Sequence, residues 1–212
     1  MSTVLCGSLS LHPSSLGSSM HRAAYQALGL DYVYVPFKIT ELKGALVGMR
    51  ALGVRGFGVS MPYKIDVLPL LDELDPLAAQ IGAVNTIVND HGKLTGYNTD
   101  AIGAKRALEE QLELEGRTAL VVGAGGAARA VAFALAGAGC SLLLANRTTA
   151  RATELAAAID AAVPNTTIKV LPLEATAPAV DVIVNASAAG MGAVSNDLPI
   201  PAAWLEATKL VM

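Results

Sequence analysis

The run Ala119-Leu120-Val121-Val122-Gly123-Ala124-Gly125-Gly126-Ala127-Ala128 constrains the fold more than any other stretch of the chain. An apolar strand leads straight into the pattern G-x-G-x-x-A, and Arg129 to Ala136 continues with helical spacing. A strand, a glycine turn and a helix in that order open a Rossmann-type dinucleotide-binding unit. Gly123 permits the tight turn, Gly125 lets backbone N–H groups reach a pyrophosphate, and Ala128 keeps the helix close to the strand. The start of the helix favours negative charge. Residues Gly123, Ala124, Gly125, Gly126 and Ala127 are therefore the expected phosphate-binding turn. A glycine-rich turn without a ligand is the plainer alternative, and the agreement of strand, spacing and helix argues against it.

Where the second strand of such a unit ends, NAD-selective domains place an acid against the ribose hydroxyls. Here the sequence reads Ala145-Asn146-Arg147-Thr148, with Arg151 one helical turn on. Arg147 and Arg151 suit a 2′-phosphate through charge-assisted bonds, and Asn146 and Thr148 add neutral ones. NADP is the expected cofactor, although solvated surface arginines are the alternative reading. Thr118 to Val122, Ser141 to Ala145, Thr167 to Leu171, Val180 to Val184 and Lys209 to Met212 are short apolar runs divided by Ala-rich helical or loop segments. That alternation predicts a parallel sheet flanked by helices.

The first hundred residues are α/β as well. Thr3 to Leu5 and Tyr32 to Pro36 read as strands around a helix from about Ser18 to Leu28 that ends at Gly29. Glu41 to Leu52 reads as a helix, Gly56 to Ser60 as a strand, and a further helix is expected from Pro62 or Tyr63. Ala83 to Asn89 and Lys93 to Tyr97 flank Asp90-His91-Gly92 as a hairpin. Thr99 is a good N-cap for a helix from Asp100 to about Leu112, which puts a domain junction near residue 101. The expected layout is an α/β substrate domain over 1–100 and a Rossmann-type NADP-binding domain over 101–212.

Fifteen basic and 18 acidic residues, spread along 212 and giving a net charge of -3, form no basic block for nucleic acid. Ala130 to Leu144 is too short to span a bilayer and contains Gly137 and Gly139. Cys6 and Cys140 lie far apart in apolar surroundings, and His12, His21 and His91 have no metal-ligand spacing. A cytoplasmic protein with buried thiols and no metal is expected.

Alcohol oxidation needs a group to take the hydroxyl proton as hydride leaves. Tyr34 to Lys38 matches a Tyr-x-x-x-Lys pair only nominally, because Pro36 sits in a strand-like run ahead of the nucleotide unit. Lys64, at a strand-to-helix corner, and Asp100, beside the domain junction, are better candidates, both expected to face an inter-domain cleft. A lysine beside a proline is otherwise most often a surface residue.

Ser60-Met61-Pro62-Tyr63-Lys64, Ile81-Gly82-Ala83-Val84-Asn85-Thr86 and Gly96-Tyr97-Asn98-Thr99-Asp100, followed by the glycine turn and Asn146-Arg147-Thr148, resemble the shikimate dehydrogenase family. The resemblance runs from Leu5 to the last residue and includes Asn185-Ala186-Ser187 and Gly190-Met191. It implies two α/β domains around a cleft, with Lys64 and Asp100 as the catalytic pair and Ser60 and Asn85 on the ring hydroxyls. First-loop serines would hold the substrate carboxylate, and Ser187 and Met191 would lie beside the nicotinamide. The implied reaction is reversible NADP-dependent reduction of 3-dehydroshikimate to shikimate, a step of the shikimate pathway. A quinate or amino-shikimate dehydrogenase, or a catalytically silent NADP-binding sensor module, would share most of these residues.

The sequence departs from the family in two places. Its first loop reads Ser8-Leu9-Ser10-Leu11-His12-Pro13-Ser14-Ser15-Leu16-Gly17-Ser18-Ser19-Met20-His21-Arg22, where the family has Ser-x-Ser-Pro-x-x-His-Asn. Together with Met61 after Ser60, this looks like the divergent shikimate dehydrogenase-like branch. Counting back from His21 makes Ser14 and Ser18 the carboxylate binders, with Ser8 and Ser10 still open and a turn or capping role as the alternative. Family members also continue for several tens of residues beyond Leu210-Val211-Met212. The resemblance therefore implies a chain lacking a C-terminal segment, with weakened turnover.

Overall fold

The computed structural model describes residues 3–176, 179–189, 198–206 and 208–212. The chain folds as two compact units, Met1–Thr99 and Asp100–Met212.

The first unit runs β1 (Val4–Ser10), α1 (Ser15–Ala27), β2 (Tyr32–Lys38), α2 (Leu42–Ala51), β3 (Gly56–Val59), β4 (Glu73–Leu74), α3 (Pro76–Ile81), β5 (Thr86–Asp90) and β6 (Lys93–Tyr97). Its six strands form one mixed sheet in the order β2-β1-β3-β5-β6-β4. β1 runs parallel to β2 and β3, while β3, β5 and β6 alternate in direction. Leu9, Phe57 and Val59 point into a core shared with Leu46 and Met49 of α2, Val67, Ala78 of α3, Val84, Ile87 and Leu94. Local chemistry fixes the helix ends. The Glu41 carboxylate caps α2 by accepting from Gly44 N–H. Asp75 caps α3 ahead of Pro76, and Gly82 closes that helix in the left-handed region at φ 68°.

Three expectations are corrected. β1 continues to Ser10 instead of ending at Leu5, because Gly7 and Leu9 keep the inward alternation that the intervening serines hide. The helix expected from Pro62 or Tyr63 does not form: residues 61–67 are successive turns, and only Leu68–Leu70 make a 3₁₀ turn. Pro69 lacks the N–H that a helix continuing from Pro62 or Tyr63 would need there. α1 also begins at Ser15, three residues before the expected start.

The second unit runs α4 (Asp100–Glu109), β7 (Thr118–Val122), α5 (Gly126–Gly137), β8 (Ser141–Ala145), α6 (Thr149–Ala162), β9 (Ile168–Leu171), β10 (Val182–Asn185) and β11 (Leu210–Val211). All five strands are parallel, in the order β11-β10-β7-β8-β9. β7 lies in the middle and is almost wholly apolar, as a strand covered on both faces must be. Leu120, Val122, Ala145, Val180, Ile183, Ile200 and Trp204 form one core cluster. The Trp204 indole N–H donates to Ala175 O at 3.3 Å. The Asp181 carboxylate accepts from Thr118 N–H at 3.1 Å and Lys209 Nζ at 3.0 Å, and Arg117 approaches to 3.6 Å, so one side chain ties the starts of β7 and β11 together. Among the described residues no helix is long and apolar enough to cross a membrane, and no His/Cys/Asp/Glu cluster could hold a metal.

Candidate functional site

In the first unit, backbone pairing brings the end of β3 to the entry of β5. Val59 N–H donates to Asn85 O at 2.7 Å, Asn85 N–H to Tyr97 O at 3.0 Å, and Val84 N–H to Lys64 O at 2.8 Å. Ser60, Lys64 and Asn85 therefore meet at one edge of this unit, although distant segments supply them. The Tyr63 hydroxyl anchors the turn that carries Lys64 by donating to Ile39 O at 2.7 Å. Lys64 is half-buried, and Ser60 is exposed.

The Asn85 carboxamide is held on several sides. Its oxygen accepts from Thr99 N–H at 3.0 Å and from the Thr86 hydroxyl at 2.9 Å, and its nitrogen donates to Thr99 Oγ1 at 2.8 Å. Buried Asn98 donates to Ala83 O at 2.9 Å and fixes the same bend from behind. The sequence reading missed Thr86, Thr99 and Asn98 as supports. Their only signal is that Asn-Thr occurs twice within residues 1–99, at the start of β5 and after β6.

The serines fall into distinct settings. Ser60 N–H donates to Leu9 O and Leu11 N–H to Met61 O, so the end of β1 lies beside Ser60. Ser8, Tyr34 and Gly58 share one sheet face beneath α1: a Cβ on Gly58 would stand 3.1 Å from the Tyr34 hydroxyl and 3.7 Å from Ser8 Cβ. Ser8 hydrogen-bonds Tyr34, whose phenol burial pushes above its ordinary pKa. Ser10, two residues along, lies on that same face. The Ser10 and Ser18 hydroxyls are buried and find no partner among the described residues. Ser14 stands at the N-cap of α1 without using its side chain to cap it. A buried hydroxyl without a partner costs about 1–3 kcal/mol, so each is a place where a ligand oxygen would be favourable.

Asp100 is the first residue of α4 and half-buried. In the same unit, Gly123 takes φ 117°, and a Cβ there would sit 2.8 Å from Ala186 O. Gly123 N–H donates to Ala145 O and Ala186 N–H to Val122 O, which gathers the ends of β7, β8 and β10. Gly125 is the N-cap of α5 and has no side chain to occupy the first turn, and a Cβ there would meet nothing within 4 Å. The cradle fits a pyrophosphate: a closely packed turn, an open approach and uncapped N–H groups.

Thr148 is the N-cap of α6, again without a side-chain cap bond. Asn146 Nδ2 donates to Thr148 O at 2.9 Å, and Arg147 and Arg151 are exposed. A helix start flanked by two arginines, with no acid at the end of β8, matches a 2′-phosphate and would repel no part of it. Ser187 lies just past β10, where its N–H and hydroxyl both donate to Asn185 Oδ1, at 3.1 and 2.7 Å. Met191, with Gly190, lies outside the described residues.

The glycine cradle on a five-stranded parallel sheet, preceded by a separate mixed α/β unit with Lys64 and Asn85 at one edge, defines a two-part α/β protein of the Rossmann nucleotide-binding class. Residues 12–87 match the shikimate dehydrogenase substrate binding domain, and residues 104–198 match shikimate / quinate 5-dehydrogenase. This chain belongs to the shikimate dehydrogenase family. A curated NADP(+) shikimate dehydrogenase of Moorella thermoacetica is 47% identical over 203 residues, covering 91% of this chain and 69% of that protein. The solved structure of a shikimate dehydrogenase in complex with NADP+ superposes with a TM-score of 0.85 at 41% identity, covering 92% of this chain and 70% of that one. A Thermus thermophilus shikimate 5-dehydrogenase, solved with NADP(H) and shikimate, gives 0.76 at 39% identity, covering 87% and 69%. The chain spans about two thirds of the length of the curated relatives it matches.

Proposed function

We propose that the chain works in the cytoplasm as an NADP-dependent shikimate dehydrogenase, with residues 1–100 binding the substrate and residues 101–212 the cofactor. The observation that carries the reading is the convergence of Ser60, Lys64 and Asn85, held by Val84 N–H on Lys64 O and Val59 N–H on Asn85 O. The relatives' names supply the substrate class, and the family membership supports the assignment of these residues.

NADPH, when bound, supplies hydride to the ring carbonyl carbon of 3-dehydroshikimate. Gly123, Ala124, Gly125, Gly126 and Ala127 hold its pyrophosphate, and Asn146, Arg147, Thr148 and Arg151 hold its 2′-phosphate. Ser187 would border the nicotinamide. Lys64, as the ammonium, gives its proton to the carbonyl oxygen and takes it back in the reverse direction, while Asp100 keeps that oxygen and proton in place. Asn85 and Ser60 hydrogen-bond ring hydroxyls. Ser14 and Ser18 take the carboxylate; in support, the Ser18 hydroxyl is buried and lacks a partner among the described residues.

The test is NADP+ reduction with shikimate and with quinate, in the 212-residue chain and in a fusion carrying the C-terminal part of the Moorella relative. Shikimate should be preferred, and Lys64→Ala should lower turnover by roughly 10²- to 10⁴-fold. NADP binding without Lys64-dependent turnover on either polyol, in both forms, would replace this reading with that of a silent binding module.

A further inference from the structure

We propose that Thr86 is a positioning residue that sets which end of the Asn85 carboxamide meets the substrate. The inference rests on the reading of Asn85 as a substrate-binding residue.

A carboxamide has two ends of similar shape and opposite hydrogen-bonding sense. At Asn85 the backbone N–H of Thr99 decides between them, since it can only donate and it faces Oδ1 at 3.0 Å. The Thr86 hydroxyl adds a second bond to the same oxygen at 2.9 Å. Nδ2 is thereby turned to Thr99 Oγ1, at 2.8 Å. Rotated half a turn, the group would set its own N–H against that of Thr99, donor to donor.

Successive strand residues ordinarily point to opposite faces. Asn85 lies just ahead of β5 and Thr86 is its first residue, so the departure from regular pleat at the strand entry lets the two side chains meet. Thr86 is only partly buried and fills no core position, so its hydroxyl is its distinctive contribution. With the Thr86 hydroxyl beside the Thr99 N–H and the longer Thr99 hydroxyl contact of 3.3 Å on its oxygen, Asn85 presents its donor end and recognises a substrate oxygen as acceptor. With Thr99 alone holding the oxygen, the amide swings more widely and loses part of that definition.

Thr86→Val removes the hydroxyl and keeps the shape, while Thr86→Ser keeps the hydroxyl. In ligand-free protein, the side-chain amide proton resonances of Asn85, assigned by their loss in Asn85→Ala, should shift in Thr86→Val and stay in place in Thr86→Ser. The shikimate dissociation constant should rise by about three- to tenfold in Thr86→Val, the range of one net hydrogen bond, and return in Thr86→Ser. Adding Thr86→Val to Asn85→Ala should weaken shikimate no further, and NADP affinity should be unchanged throughout.

If Asn85→Ala leaves shikimate affinity intact, the substrate role of Asn85 fails, while the resonances still judge the orientation by Thr86. If the Asn85 resonances stay put in Thr86→Val, or that substitution weakens shikimate equally with and without Asn85, the positioning role is overturned.

Discussion

The imidazole of His21 lies flat on the ring of Tyr34, with centroids 4.0 Å apart and planes 10° from parallel. His21 also bonds Gly17 O through Nδ1 at 2.8 Å, and Tyr25 of the same helix meets Tyr32 of β2 with centroids 5.2 Å apart. α1 has no fully buried residue, so these ring contacts seat it on the sheet. The start of α1 carries Ser14 and Ser18, and its seating therefore sets where both serines stand.

Tyr34→Leu should loosen this helix without emptying the site. Losing the stack and the bond to Ser8 should cost roughly 1–2 kcal/mol. Amide exchange should accelerate in α1 more than in α2, and shikimate should bind more weakly while NADP affinity holds. Uniform acceleration across the first unit would contradict a local role.

Gly123 and Gly125 should separate stability from cofactor binding. Gly123→Ala puts a Cβ at φ 117° and 2.8 Å from Ala186 O, so the second unit should lose about 1–3 kcal/mol and much of its NADP affinity. Gly125→Ala meets nothing in the protein and has an ordinary φ of -83°, so urea unfolding should be nearly unchanged while NADP affinity falls at least about tenfold. Equal destabilisation by both would refute this division.

Arg147→Asp should reverse cofactor choice. The acid repels a 2′-phosphate and accepts from a free ribose hydroxyl, so the NADP-over-NAD ratio should fall by roughly ten- to a hundredfold, with the Arg151→Ala effect in the same direction and smaller. Dissociation constants for the two cofactors read this directly, and an unchanged ratio would remove Arg147 from the phosphate site.

Asp181 gives the second unit an acid limit. The Thr118 N–H, then Lys209, hold its carboxyl below the ordinary value of 3.8. A depressed native pKa means that the contribution is complete above the unfolded value and disappears as pH falls through the folded one. Stability should therefore decline as pH drops below about 4, and Asp181→Asn should lower it at neutral pH and flatten that acid limb. Thermal unfolding from neutral pH into the acid range checks both, and an equally steep limb in the variant would assign it to other carboxylates.

Thr118–Val122 and Ser141–Ala145 are legible to the residue, because each is an apolar run bounded by polar or turn residues. The glycine turn was equally plain, since its chemistry is local. The full length of β1 is hidden in the sequence because Ser8 and Ser10 resemble loop residues, and its partners, which alone make it a strand, come from β2 and β3. β4 has two residues and exists only through pairing with β6. The convergence of Ser60, Lys64 and Asn85 likewise depends on backbone bonds between remote segments. Family resemblance pointed to these three residues, while periodicity did not. The His21 stack is not legible because its partner, Tyr34, comes from β2 and only the packing of α1 on the sheet brings the two rings together.

The strand order β11-β10-β7-β8-β9 also sets a schedule for synthesis. β7 can pair with β8 as soon as Ala145 has emerged, but its other edge waits for Val182–Asn185. Throughout that interval the most apolar strand of the sheet offers unpaired N–H and C=O groups to whatever is nearby. The nascent chain is therefore most prone to wrong pairing after α6 has formed and before β10 arrives. Slowing elongation between those two points should increase aggregation, and slowing it after β10 should not.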